Sequence, residues 1–89
     1  MSGGRVVIHD VDKLESFMGS LQAKREELET LYDALRSETE DQGYNWQDPQ
    51  YEHLKGLVEE YCRDGISKLQ ELDDSIAYIA GLTAKLKDL

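Results

Sequence analysis

Eighty-nine residues with 19 acidic and 10 basic side chains carry a net charge of -9. Such a surface repels nucleic-acid phosphates and anionic lipid, and the length excludes a catalytic domain with a separate substrate-binding partner. With 33% charged, 39% hydrophobic and 8% aromatic residues and one proline, the composition fits a solvated helical protein rather than a sandwich, which needs turn residues every few positions.

No apolar run approaches the ~18 residues of a membrane span, and the first ten residues are too short and too soon charged for a secretory signal. The expectation is therefore no membrane insertion, a cytoplasmic location before any export, and export without a cleaved signal. The single cysteine, Cys62, excludes an internal disulfide and a thiolate zinc site.

Residues 1–9 read as a flexible or extended tail. The run Val6, Val7, Ile8 is β-branched but too short for a strand without a partner, and it is free to lie against a helix. Asp10 or Asp12 then offers an N-cap, and Asp12 with Glu15 has the form of a capping box. A first helix is expected over about 10–40. Its apolar seam runs Val11, Leu14, Met18, Leu21, Arg25, Leu28, Tyr32, Leu35 in alternating steps of three and four, with Phe17 and Leu31 widening it. Arg25 interrupts the seam and needs a carboxylate across it.

The pattern stops at about 41–48, where Gly43, Asn45 and the only proline gather. Asp48-Pro49 is a restart signal, because aspartate caps free N–H groups and proline fits the first helical position. A second helix is expected over about 49–88, with Tyr51, Leu54, Val58, Tyr61, Cys62, Ile66, Leu69, Leu72, Ile76, Ile79, Leu82 and Leu86 on its inner side. Gly65 and Gly81 weaken it by roughly 1 kcal/mol each relative to alanine.

The predicted fold is all-α, an antiparallel two-helix hairpin over 10–89. A lone hairpin buries one stripe per helix, which hardly offsets the ~1.5 kcal/mol lost in ordering each residue. Closure into a dimeric four-helix bundle follows, with a second copy or a related chain. Leu14, Met18, Leu21, Leu28 and Leu35 would then face Val58, Leu69, Leu72, Ile76 and Ile79.

The segment Asn45-Trp46-Gln47-Asp48-Pro49-Gln50-Tyr51-Glu52-His53-Leu54 resembles the midpoint of the WXG100 (ESAT-6-like) superfamily, whose chains of about this length form two helices around a Trp-x-Gly turn. Trp46 and Leu54 match by type and spacing, and Ile8 through Phe17 resembles the family's entry into its first helix. Asp48 stands where the family has glycine, exchanging a flexible residue for a stronger cap. Exported members often carry Tyr-x-x-x-Asp or Tyr-x-x-x-Glu near the C-terminus, whereas Tyr78 here is followed by Leu82. The resemblance implies association without chemistry: a type VII (ESX-like) secretion substrate, or the escort of a larger effector. Trp46, Asp48, Tyr51 and Leu54 would form the recognition turn, although Trp46 could equally cover the open end of the helix pair.

A competing reading is a cytosolic coiled-coil adaptor or immunity-type inhibitor that meets a basic target with its acidic face. No cofactor is expected. His9 with Asp10 and Asp12, or His53 with Asp48 and Glu52, lack the paired spacing of a metal site. His53 and Cys62 stand about 13 Å apart along one helix, too far to act as base and nucleophile. Cys62 reads as a small core residue.

Overall fold

A computed structural model describes residues 5–88. The tail's glycine pair, within residues 1–4, and residue 89 lie outside that range. The chain is an all-α hairpin: α1 spans Val11–Asp41, a single 3-10 turn spans Gln42–Tyr44, and α2 spans Pro49–Lys87. There is no strand among the described residues.

Each helix starts where a carboxylate meets free backbone donors. At α1 the cap is Asp10, whose side chain accepts from the Lys13 N–H at 3.0 Å. Asp12, the other candidate, lies inside the first turn. There its negative charge still favours the helix N-terminus, while its carboxylate is turned to Lys87, 3.1 Å away. At α2 the Asp48 side chain accepts from the Gln50 N–H at 2.6 Å, with Pro49 in the first turn.

The core is a heptad seam on α2. Tyr51, Val58, Cys62, Leu69, Ile76 and Thr83 are buried, and among the described residues no side chain of α1 is buried to the same degree. On α1, Val11, Leu14, Met18, Leu21, Arg25 and Tyr32 are half-buried. Leu72, Ile79, Leu82 and Leu86 are half-buried on α2. Leu28 and Leu35, in register with the α1 seam, stand at its edge and are exposed.

Two glycines admit close approaches. A Cβ at Gly65 would fall 2.4 Å from the Tyr32 ring, and one at Gly43 would fall 3.1 Å from the Tyr51 hydroxyl. Gly65 thus lets the Tyr32 ring lie directly on the α2 backbone, at the stated ~1 kcal/mol cost in helix propensity. Beside it, Cys62 is fully buried and its thiol points to the Tyr32 carbonyl at 3.6 Å. Tyr61 meets the other side of Tyr32 edge-on, with ring centroids 6.1 Å apart.

The eight-residue excess of α2 over α1, 39 against 31 residues, amounts to about 12 Å by helical rise. The described part of the tail lies against this longer helix, where Val6 lines a groove with Ala77, Tyr78, Gly81, Leu82 and Lys85.

Candidate interaction surface

Four residues expected at the turn divide into two pairs. Tyr51 is buried: its hydroxyl donates to the Thr39 carbonyl at 2.8 Å, a carbonyl in the last turn of α1 that also accepts from the Gln42 N–H. Asp48 acts as the cap already described. Trp46 and Leu54 remain 37% and 42% exposed. The Trp46 ring tilts against Tyr51, with centroids 5.5 Å apart, and its backbone N–H donates to the Gln42 carbonyl at 2.7 Å. Trp46 therefore does both things open to it: it covers the end of the helix pair with one face and presents the rest to solvent.

Trp46 and Leu54 line a groove with Leu35, Glu38, Thr39, Gln42 and Tyr51. This groove is the end of a longer apolar face. On α1, Phe17, Leu28, Leu31 and Leu35 are all exposed, and their spacings of three, four, seven or eleven residues put them on one stripe. On α2, Leu54, Leu57 and Tyr61 are exposed too, three or four residues apart. Because the groove joins Leu35 to Leu54, the two stripes lie on the same side of the hairpin. Leu31 is 63% exposed and Tyr61 64%.

The other side is charged. Arg36, Thr39, Glu40, Lys55, Val58 and Glu59 line a groove there. Farther along, the Arg25 guanidinium crosses to Asp73, with Nε and Nη2 donating to its two oxygens at 2.8 and 3.0 Å, and also pairs with Glu29 on its own helix. Hydrogen bonds to Asp73 first, then to Glu29, hold the Arg25 pKa above its ordinary value. Asp73 is the carboxylate that Arg25 needs, supplied within the chain. At the open end Lys87 pairs with Glu15 at 2.7 Å and Asp12 at 3.1 Å, and these bonds, Glu15 first, raise its pKa.

Of the residues expected on the association face, Val58, Leu69 and Ile76 are buried within the hairpin, Leu14, Met18, Leu21, Leu72 and Ile79 are half-buried between its helices, and Leu28 and Leu35 are exposed on the apolar side. Sequence spacing does not reveal Asp73, Lys87 or the Tyr32–Gly65 contact, since each depends on the register between helices. The apolar side was partly visible as the widening by Phe17 and Leu31.

Among the described residues no group of three or more His, Cys, Asp or Glu side chains is gathered so as to hold a metal ion. No helix among them is long and apolar enough to cross a membrane. Every buried side-chain polar atom of the described residues has a hydrogen-bond partner. Each cross-helix ionic group has a partner as well, so the unsatisfied feature of this surface is its apolar side. No family model, curated protein or solved structure matches the chain.

Proposed function

We propose that this hairpin works by protein association through its apolar side, as a WXG100-like protein: a type VII secretion substrate, or the escort of a larger effector, with no chemistry of its own. The observation that carries the reading is the set of exposed apolar side chains along one side, Phe17, Leu28, Leu31 and Leu35 on α1 and Trp46, Leu54, Leu57 and Tyr61 from the turn into α2, joined at the turn by the groove that Leu35, Trp46 and Leu54 share. A patch of that extent on a small monomer marks an interaction surface. The large aromatic residues at its turn end are of the type that anchors interfaces. Secretion rests on the Trp46 to Leu54 resemblance, and the partner is a second copy or a related helical hairpin that completes a four-helix bundle.

The reading separates into two tests. For association, Leu31→Glu with Leu57→Glu places charge on the apolar side without touching a buried residue; the helical fold should persist while complex formation is lost. Unchanged association would overturn the surface. For export, the protein is quantified in the culture medium of its native host with and without the membrane ATPase of the type VII apparatus. Export that vanishes with the ATPase, and again on Trp46→Ala in a folded variant, supports the secretion role. Retention in the cell under both conditions favours the adaptor or inhibitor reading.

A further inference from the structure

We propose that residues 5–9 form a displaceable strap, an intramolecular cover over the open-end part of the apolar side, which a partner reaching past the turn half has to lift. This rests on the association reading above and adds its regulation. The starting point is the register of α2. Cys62, Leu69, Ile76 and Thr83 are buried at intervals of seven residues, so positions a multiple of seven apart share a flank of this helix. Tyr78 and Leu82 follow Leu57 and Tyr61 by 21 residues. They therefore resume the apolar flank after a polar stretch that holds Asp64, Lys68, Glu71 and Ser75.

Near the turn this flank is bare, and at the open end the chain's own tail lies on it. The backbone bends at His9, just before the Asp10 cap, and doubles back so that Val6 lines the groove of Ala77, Tyr78, Gly81, Leu82 and Lys85. Ala77 and Lys85 are eight residues apart, about 12 Å of helix, which a few extended residues span. The β-branched run Val6, Val7 and Ile8 favours that extended form, and Ile8 is half-buried.

The strap is lightly held. Among the described residues no hydrogen bond or ion pair joins residues 5–9 to α2, so apolar contact alone seats it. Nor is the seat full: Val6 is 56% exposed, the groove measures about 430 Å³, and nothing lies within 4 Å of a Cβ placed on Gly81. Such a contact yields to an occupant that buries more apolar surface in the same groove. In the free hairpin the exposed association surface is thus the turn half, and lifting the strap extends it to Tyr78 and Leu82.

The intact chain provides the test. Nuclear Overhauser contacts should run from the Val6 methyls to the Tyr78 ring and Leu82, and their absence overturns the strap. Nile red, a neutral apolar dye, then stands in for the partner, and amide chemical shifts locate where it binds. Val6→Ser loosens the strap and should strengthen dye binding at 77–85 by about threefold, whereas Val6→Leu fills the seat and should weaken it by a similar factor. Dye binding around Leu54, Leu57 and Tyr61 should be the same in all three proteins, and so should the circular dichroism, since residue 6 lies outside both helices. Equal binding at 77–85 in all three, or a gain confined to the turn half, overturns the strap as a cover. Either result leaves the association reading standing, because that reading fails only in the Leu31 and Leu57 test.

Discussion

The turn half and the open half of the hairpin hold their helices together by different physics. Near the turn the contacts are aromatic and directional: Tyr51 bonded to the Thr39 carbonyl, Trp46 against Tyr51, and Tyr32 seated on Gly65 beside the buried Cys62. Toward the open end, aliphatic Leu69 and Ile76 make the core, and ion pairs close it, the half-buried Arg25 on Asp73 and the more exposed Lys87 on Glu15 and Asp12. Water and salt compete for exposed ion pairs and hardly reach a packed ring. The turn should therefore be the rigid end and the open end the one that frays, although both lie on one continuous pair of helices.

The comparison breaks most completely if its shared middle is removed. Leu69 is 2% exposed, and Leu69→Ala should cost about 3 kcal/mol in transfer and cavity terms. In a two-helix fold that is enough to unfold much of the population in thermal melts, and an unchanged melting temperature would refute the placement of the core.

Next comes the ring seat. Gly65→Leu forces Tyr32 out and should destabilise by about 2 kcal/mol through overpacking. In a Tyr32→Ala background the clash is gone, so Gly65→Ala should stabilise by about 1 kcal/mol from helix propensity alone. A cycle of these variants in urea melts that shows no such dependence on residue 32 removes the ring from Gly65.

Smaller effects sharpen the turn. Asp48→Ala deletes the α2 cap and should cost about 1 kcal/mol. Tyr51→Phe loses one hydrogen bond to a helix-end carbonyl, again about 1 kcal/mol. Amide exchange should show both losses around 42–52 before the open end responds.

The smallest change is at Lys87. Replacing it by methionine should speed amide exchange only in the first turn of α1 and the last turn of α2, leaving the global melt almost unmoved. Because the folded Lys87 pKa is raised, its contribution is fully present below the ordinary lysine value and disappears as pH climbs through the folded one. Alkaline titration should loosen the open end while leaving the turn intact. Equal loosening at both ends would erase the contrast.

Much of this architecture can be read without coordinates. Two apolar periodicities separated by a Gly, Asn and Pro cluster specify two helices, and Asp48-Pro49 marks the second start because a cap needs only local backbone donors. Arg25 in an apolar register announces an ion pair. The choice between Asp10 and Asp12 as cap is local and falls to Asp10 through its bond to the Lys13 N–H, whereas the partner of Asp12, Lys87, lies 75 residues away and is invisible to local spacing.

Local spacing determines which stretches become helical and which residues share a stripe, since both depend on hydrogen bonds and angles within a few residues. How one stripe is set against the other is a matter of tertiary register. Only the packed hairpin decided that Asp73 receives Arg25, that Tyr32 needs Gly65, and that Leu28 and Leu35 turn outward to join Trp46, Leu54 and Tyr61. Those outcomes depend on the lengths of side chains meeting across two antiparallel helices, and a one-dimensional pattern of polarity carries no measure of that distance.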